Sequence, residues 1–551
     1  MNRLKKYVLV LAAILAAGTI LKREAFCEEQ EAALKNEVLN PYENVDWNTA
    51  EFIHSFSHQH GGRPPGESYS ISPEIFWDMG FRHFPFSNYY PSSPAPLPEK
   101  FREEHPGALW APNAEHHSAS GIGHFNTLDS YYATGYGESA RTSYRSKRTS
   151  PVEYEFPGLK IFDPEEPGPG IYILGMYIGT EGNKELSLDI TVEGAKECNR
   201  KTGQLVGDGI LKNRKIPAKS QSLYIRAESE TVKIRFDFDP EGIRRLSFFI
   251  RQGVNRPWQD ALKAALDGTR KDADGNPVEG LRFPDGGGIT LNHTAGPLDF
   301  ILERLNFDPR VLGIEVWNQH FAFGGKGSLG FYKLWDDVLK TGTRCFGFFV
   351  RDHFIYERGR NVLLLPPSEG LSIEEREHNA ARAYRNGAFY GLLGALAVDE
   401  NGQKKAPYDY SEFRFTGISV KRDSNGTPQS VEVSVAGADS SKRPNTQIRF
   451  ITEKGISLIE NKADASFKLE RDSEGKIASK YVRIEAFAYP STHLKGEPLT
   501  AEALAKMDVL EISRLHDILG GGYGGTVDFD RGKEAPIPIV DMIFSQPVMF
   551  R

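Results

Sequence analysis

Histidine is spread unevenly along this chain, and that distribution limits what the chain can be. Of fourteen histidines, eight fall between His54 and His124 and none between residues 125 and 292; His293, His320 and His353 then follow. Imidazole is the commonest metal-ligating side chain. The split cluster points to a site for a metal ion built from two stretches, 54–124 and 292–353, that flank an insertion. Residues 51–60 read EFIHSFSHQH, a strand-like run. Residues i and i+2 of a strand share a face, so His58 and His60 can reach one ion together. The runs GFRHFPFSNYY (80–90), LWAPNAEHHS (109–118), GGGITLNHTAG (286–296), RVLGIEVWNQH (310–320) and RCFGFFVRDH (344–353) each carry His, Asn, Asp or Glu at an apolar strand's end. Helix-like stretches such as FYKLWDDVLKTG (331–342) follow several of them. Strands alternating with helices predict a mainly parallel sheet. In (β/α) barrels functional side chains gather at the C-terminal strand ends.

At these residues the chain resembles the PHP (polymerase and histidinol phosphatase) superfamily, and within it the exported metallohydrolases that include carbaryl hydrolase. The pieces carrying the likeness are SHQH (57–60), GFRHFPFSNYY (80–90), AEHH and GHFNTL within 114–128, GITLNHTAG (288–296), GIEVWN (313–318), LWDDVLKTGTRCFGFFVRDHF (334–354) and AARAYRNGAFYGL (380–392). They cover about 45–145 and 280–395 in the family's order. The resemblance implies a distorted (β/α)7 barrel with a metal site at its strand ends and hydrolysis of a phosphoester or a related ester or amide-like bond. It implies His58, His60, Glu115, His293 and the pair Asp352 and His353 as metal ligands, with His124 as the histidine of the GHFN motif. Two departures stand out. The family's Thr-Asp-His after the second strand is Ser87-Asn88-Tyr89 here, and its closing Asp-x-His is a bare Asp352-His353. Adjacent residues on a strand face opposite ways, so only one of that pair is expected to bind unless the strand has already turned.

The expected chemistry follows from the donor types. One or two divalent ions (Zn, Mn or Fe) suit all-nitrogen and oxygen ligands. Such an ion yields a metal-activated hydroxide near neutral pH, with His124 or His117 moving a proton. Phosphoester hydrolysis is the first expectation. A carbamate, ester or amide hydrolase is the nearest alternative, and a non-catalytic glycan-binding protein with a degenerate barrel is the rival of another class. Arg351, beside the site in sequence, is read either as a contact for an anionic substrate or as a surface ion pair, Asn318 and His320 as rim residues, and His54 as a core histidine.

Around this centre the chain divides into five stretches. Arg3, Lys5 and Lys6 precede the apolar run 7–21, the pattern of a signal peptide at 1–27. The expected product is therefore exported, periplasmic or extracellular, with no stable membrane span once the signal is removed and an N-terminal membrane anchor if the signal is not cleaved. Residues 45–148 and 259–400 are the two barrel halves. Residues 149–258 contain no histidine and read as short alternating strands such as LSLDITVEG and TVKIRFDF, an inserted β-sandwich. Residues 408–551 read as a β-rich domain. Ser372-Ile-Glu-Glu375 has capping-box spacing and opens a helix expected to reach about Leu393. The net charge of −7 offers no basic footprint for nucleic acid, so the expected partner is a small-molecule or glycan-derived substrate. Three cysteines make no disulfide framework. The run GGGYGG (520–525) lacks the Gly-Lys-Ser/Thr of a phosphate loop and reads as a turn.

Overall fold

The computed structural model describes residues 38–550 except 63–70, 89–92, 120–122, 133–150, 157–172, 181–184, 200–202, 213, 218–219, 239–242, 252–257, 269–279, 295, 319–326, 354–358, 395–412, 438–442, 493–497, 514 and 518–536. The expected signal segment, His320 and the GGGYGG run lie outside the described residues. No helix among the described residues is long and apolar enough to cross a membrane.

The expected (β/α)7 barrel is not what forms. The described residues make twenty-nine strands and eight helices; of their six sheets two mix parallel and antiparallel pairs and four are antiparallel throughout. Strand–helix alternation holds only locally. The strands Gly288–Leu291, Val311–Asn318 and Phe346–Val350 run parallel, with the helices Leu298–Leu305 and Gly327–Lys340 as crossovers. On the other edge, Gly123–Leu128 pairs antiparallel with Gly288–Leu291 and also with Glu115–Ala119. These five strands form one sheet. An eleven-stranded sheet carries Glu51–Ser55 parallel to the short strand His83–Phe84, which is parallel to Leu109–Trp110. On its other side Glu51–Ser55 pairs antiparallel with Gly359–Leu365. The reason for the departure is plain in the pairing. Where a barrel needs a helical crossover to a parallel neighbour, this chain places a hairpin or an antiparallel strand, which needs none.

The apolar runs behave as their composition demands. Val311–Asn318 is buried along its whole length, as expected of a parallel strand covered on both faces. The helix Ile373–Asn386 opens with a complete capping box between Ser372 and Glu375. It stops short of Leu393, because Gly387 takes a φ of 73° and the chain turns into the strand Phe389–Leu393. The described residues within 152–251 form two four-stranded antiparallel sheets, and Leu186–Glu193 largely alternates buried and exposed positions. In the C-terminal third, Tyr481–Tyr489 and Asp541–Ser545 do not make a sheet of their own. They extend the eleven-stranded sheet through Phe389–Leu393, and Phe487, Met542 and Phe544 share a core with Ile289, Ile314 and Phe349. Cys198 and Cys345 are buried free thiols.

Three non-glycine residues among those described have left-handed φ: Asp129 (64°), His293 (26°) and Asp352 (58°). Asp129 is structural. Its Oδ2 accepts the Phe283 N–H at 3.0 Å, and burial pushes its carboxyl up to about 8 despite that bond and nearby Arg282. An acid whose pKa rises on folding favours the folded state fully below its unfolded value near 4, and the contribution is lost as pH climbs to about 8. The loss is at most roughly 1.4 kcal/mol per pH unit. Asp129→Asn keeps the acceptor and tolerates the left-handed backbone. The variant should match the parent's thermal midpoint at pH 5 and exceed it by several degrees at pH 8.5. Equal midpoints at both pH values would remove the buried neutral carboxyl from the account.

Candidate metal centre

The histidine pair is held by the chain that follows Glu51–Ser55. Its footing is aromatic: Phe56 packs on Phe76, Phe81, Phe84 and Phe86 with ring centroids 4.9–6.1 Å apart. Burying rings of this size contributes about 2–3 kcal/mol each. Immediately after His60 the chain passes the ring of Phe86 through Gly62, at a φ of 74°. A Cβ there would lie 2.3 Å from the Phe86 ring, so only glycine fits. Across from the pair, residues 58–60 run beside residues 351–352: the N–H groups of Arg351 and Asp352 donate to the His58 carbonyl, and the N–H of His60 donates to the Asp352 carbonyl. The left-handed turn at Asp352 aims its carboxylate back at the histidines.

The result is a buried group of four donors, His58, His60, Glu115 and Asp352, whose ligating atoms lie within 4.8 Å of one another and could hold a metal ion. The Nε2 atoms of His58 and His60 sit 3.4 Å apart. Glu115 Oε2 lies 3.2 Å from the first and 3.1 Å from the second, and Asp352 Oδ1 lies 3.4 Å from both. A second group, Glu115, His124 and His293, shares Glu115 with the first. Its members converge on the other carboxylate oxygen: Glu115 Oε1 is 3.1 Å from His124 Nδ1 and 3.4 Å from His293 Nε2. One carboxylate therefore faces two donor sets, one with each oxygen.

The electrostatics match the geometry. Burial opposes a charge on His58, but Glu115, Asp352 and Glu315 outweigh it and hold its pKa well above the ordinary imidazole value. Burial is likewise overcome at His60 by Asp352 and Glu115, and at His293 by Glu115 and Glu315. Burial also resists ionisation of Asp352, yet His58 and His60 keep its carboxyl well below the usual range. A divalent cation fits these donors. They are all imidazole nitrogens and carboxylate oxygens, and Asp352 Oδ1 is buried without a hydrogen-bond partner among the described residues. Charges this deeply buried are expensive unless something pairs with them.

The structure also sorts the remaining expectations. His353 is not in either donor group. The turn at Asp352 leaves its ring partly exposed and stacked on His60 at 4.1 Å, and burial together with His60 pushes its pKa down to about 3. The backbone of His117 lies in the strand Glu115–Ala119, but its side chain lies outside the described residues. His116 is buried and stacked on Phe125 at 4.4 Å. Arg351 is not at the surface. It is fully buried, with its guanidinium 5.0 Å from the Phe81 ring centre. Asn318 is not on a rim but buried, 3.4 Å from Asp352 Oδ2. His54 is half-buried and its Nδ1 lies 2.6 Å from an Arg360 guanidinium nitrogen. Ser87 and Asn88, where the resemblance implies lost ligands, brace the histidine loop instead. Ser87 Oγ accepts the Gln59 N–H, and the Asn88 amide bonds both ways with the Gly61 backbone.

Glu315 is the residue bonded to this cluster that a strand-end reading misses. It is completely buried, and its Oε1 accepts the His58 Nδ1–H at 2.6 Å. A carboxylate in the middle of the apolar run VLGIEVWN was the available signal, because Glu is almost never fully buried unless paired. Asn126 and Asn292, which bond each other at 2.8 Å beside Glu115, were also passed over. No protein-family model matches this chain, and no curated protein matches it.

Proposed function

We propose that this chain is a metal-dependent hydrolase, with phosphoesters as the first substrate class, and that it holds one or two ions of Zn, Mn or Fe. The observation that carries the reading is the sharing of Glu115: its Oε2 faces His58, His60 and Asp352, and its Oε1 faces His124 and His293. A divalent ion in such a cradle supplies a water of pKa near 7 and polarises a phosphoryl or carbonyl oxygen. The chain's own residues fix the arrangement. His58 and His60, in the segment after the strand Glu51–Ser55, bring their Nε2 atoms to 3.4 Å from each other, and the left-handed φ of Asp352 and His293 turns both side chains inward at a strain cost of order 1–3 kcal/mol each. Strain of that kind persists where the surroundings enforce it. His124, about one-third exposed, stands on the solvent side of Glu115 and is placed to exchange a proton with solvent.

The test is direct. Protein prepared with Zn or Mn supplementation should carry one equivalent of metal or more and should turn over members of a panel of phosphoesters, aryl esters and carbamates. Less than a tenth of an equivalent would overturn the reading. Full metal occupancy with binding of oligosaccharides and no turnover would favour a glycan-binding protein.

A further inference from the structure

We propose that Glu315 is a positioning residue that locks the two donor groups into one preformed site, an inference that rests on the metal-site reading above. Both of its oxygens are committed, and to different groups. Oε1 accepts from His58 Nδ1 at 2.6 Å; Oε2 accepts the backbone N–H of His293 at 2.7 Å and the Asn318 side-chain amide at 2.9 Å. The bond to His58 fixes that ring with Nδ1 protonated and the Nε2 lone pair directed at Glu115 and Asp352. A metal-ligating histidine needs its other nitrogen anchored in this way, and loss of such an anchor typically weakens metal binding 10- to 100-fold. The bond to the His293 N–H acts on the other group. His293 is held at a φ of 26°, a conformation a β-carbon disfavours, and the carboxylate accepts its backbone N–H. One side chain thus sets the ring of the first group and the backbone of the second. His58 and His293 are brought within 6.3 Å, ring centre to ring centre. Glu315 belongs to neither donor group, and both of its oxygens accept from protein donors. The burial of a carboxylate mid-strand, in a run otherwise fit for a core, makes sense as the cost of this clamp.

Glu315→Gln keeps the shape but replaces one accepting oxygen by an amide that donates, so it cannot serve both His58 and His293. The folded variant, checked by circular dichroism, should bind Zn2+ 10- to 100-fold more weakly than the parent in a chelator competition, with both equivalents affected together and with an altered Co2+ visible absorption band. Parent-like affinity and an unchanged Co2+ band in the folded variant would overturn the proposal. Should the variant not fold, the parent protein labelled with 15N at its histidine rings decides. An Nδ1–H proton at low field and protected from solvent exchange is expected with and without Zn2+, and its absence would overturn the clamp. Failure of the parent itself to bind Zn2+ would sink the metal-site reading, whereas parent binding untouched by Glu315→Gln would sink only the role of Glu315.

Discussion

Glu115→Gln should weaken Zn2+ binding by about a hundredfold or more, at both donor groups, in the same chelator competition. The argument is geometric before it is electrostatic. Glu115 is the one residue common to the two groups, with one oxygen 3.1–3.2 Å from the His58 and His60 nitrogens and the other 3.1–3.4 Å from those of His124 and His293. A glutamine in the same rotamer must present an NH2 to one group or the other, and an N–H donor cannot ligate a cation. The group that keeps an oxygen still loses the negative charge. Loss of a residue that only supports a ligand costs 10- to 100-fold, so loss of a shared ligand is expected at or beyond the upper end of that range. The metal-free variant should also melt lower than the metal-free parent, because Glu115 is a leading counter-charge for His58 and His60 and both remain fully buried without it. Isothermal titration on the two proteins, with the same stoichiometry and the same dissociation constants, would show that Glu115 is no ligand.

How much of this was legible in the sequence depends on which physical signal each feature leaves. The candidate metal centre is legible because its donors are rare residue types placed where apolar runs stop. His58, His60, Glu115, His124, His293 and Asp352 all lie in the two donor groups. The ambiguity at Asp352-His353 could be posed but not resolved from sequence, because it turned on a single backbone angle, the 58° φ at Asp352. Glu315 was hidden for a different reason. Strand-end reasoning looks at the last residue of a run, and Glu315 lies three residues inside one, where its partner His58 is 257 positions away. The fold was the least legible part. A buried apolar strand reads the same whether its neighbour is parallel or antiparallel, so Gly359–Leu365 gives no hint that it pairs antiparallel with Glu51–Ser55. The alternation of strands with helices around Gly288–Val350 was real but local, and extending it to the whole chain produced a barrel that does not form. The capping box at Ser372–Glu375 marks the opposite case, since both halves of that interaction are written within four residues.

Metal affinity should rise steeply with pH between 6 and 8, and the sign follows from the buried histidines. His58 has a pKa held well above the ordinary 6.5, and those of His60 and His293 are also raised. In the metal-free protein these rings therefore keep their protons to higher pH than a free imidazole does, and a metal ion must displace them. Asp352 is held below the usual carboxylate range, so it is ionised throughout this window and releases nothing. Each proton displaced makes the apparent affinity climb about tenfold per pH unit until the ring's own pKa is passed. One to three protons therefore give a rise of roughly 30- to 30,000-fold between pH 6 and 7.5. Titrations in two buffers of different ionisation enthalpy count the protons directly, and an affinity flat with pH and free of proton release would sink the claim. The metal-free protein moves in the opposite sense. Its raised His58 pKa contributes stability that is fully present below about 6.5 and is lost as pH rises through the raised value. The thermal gap between metal-loaded and metal-free protein should then widen from both sides with increasing pH. In Glu115→Gln, where a carboxylate that raises His58 and His60 is gone, the slope of affinity against pH should flatten even though the affinity itself is lower. Those two changes together separate a ligand that also tunes its neighbours' protons from one that merely fills space.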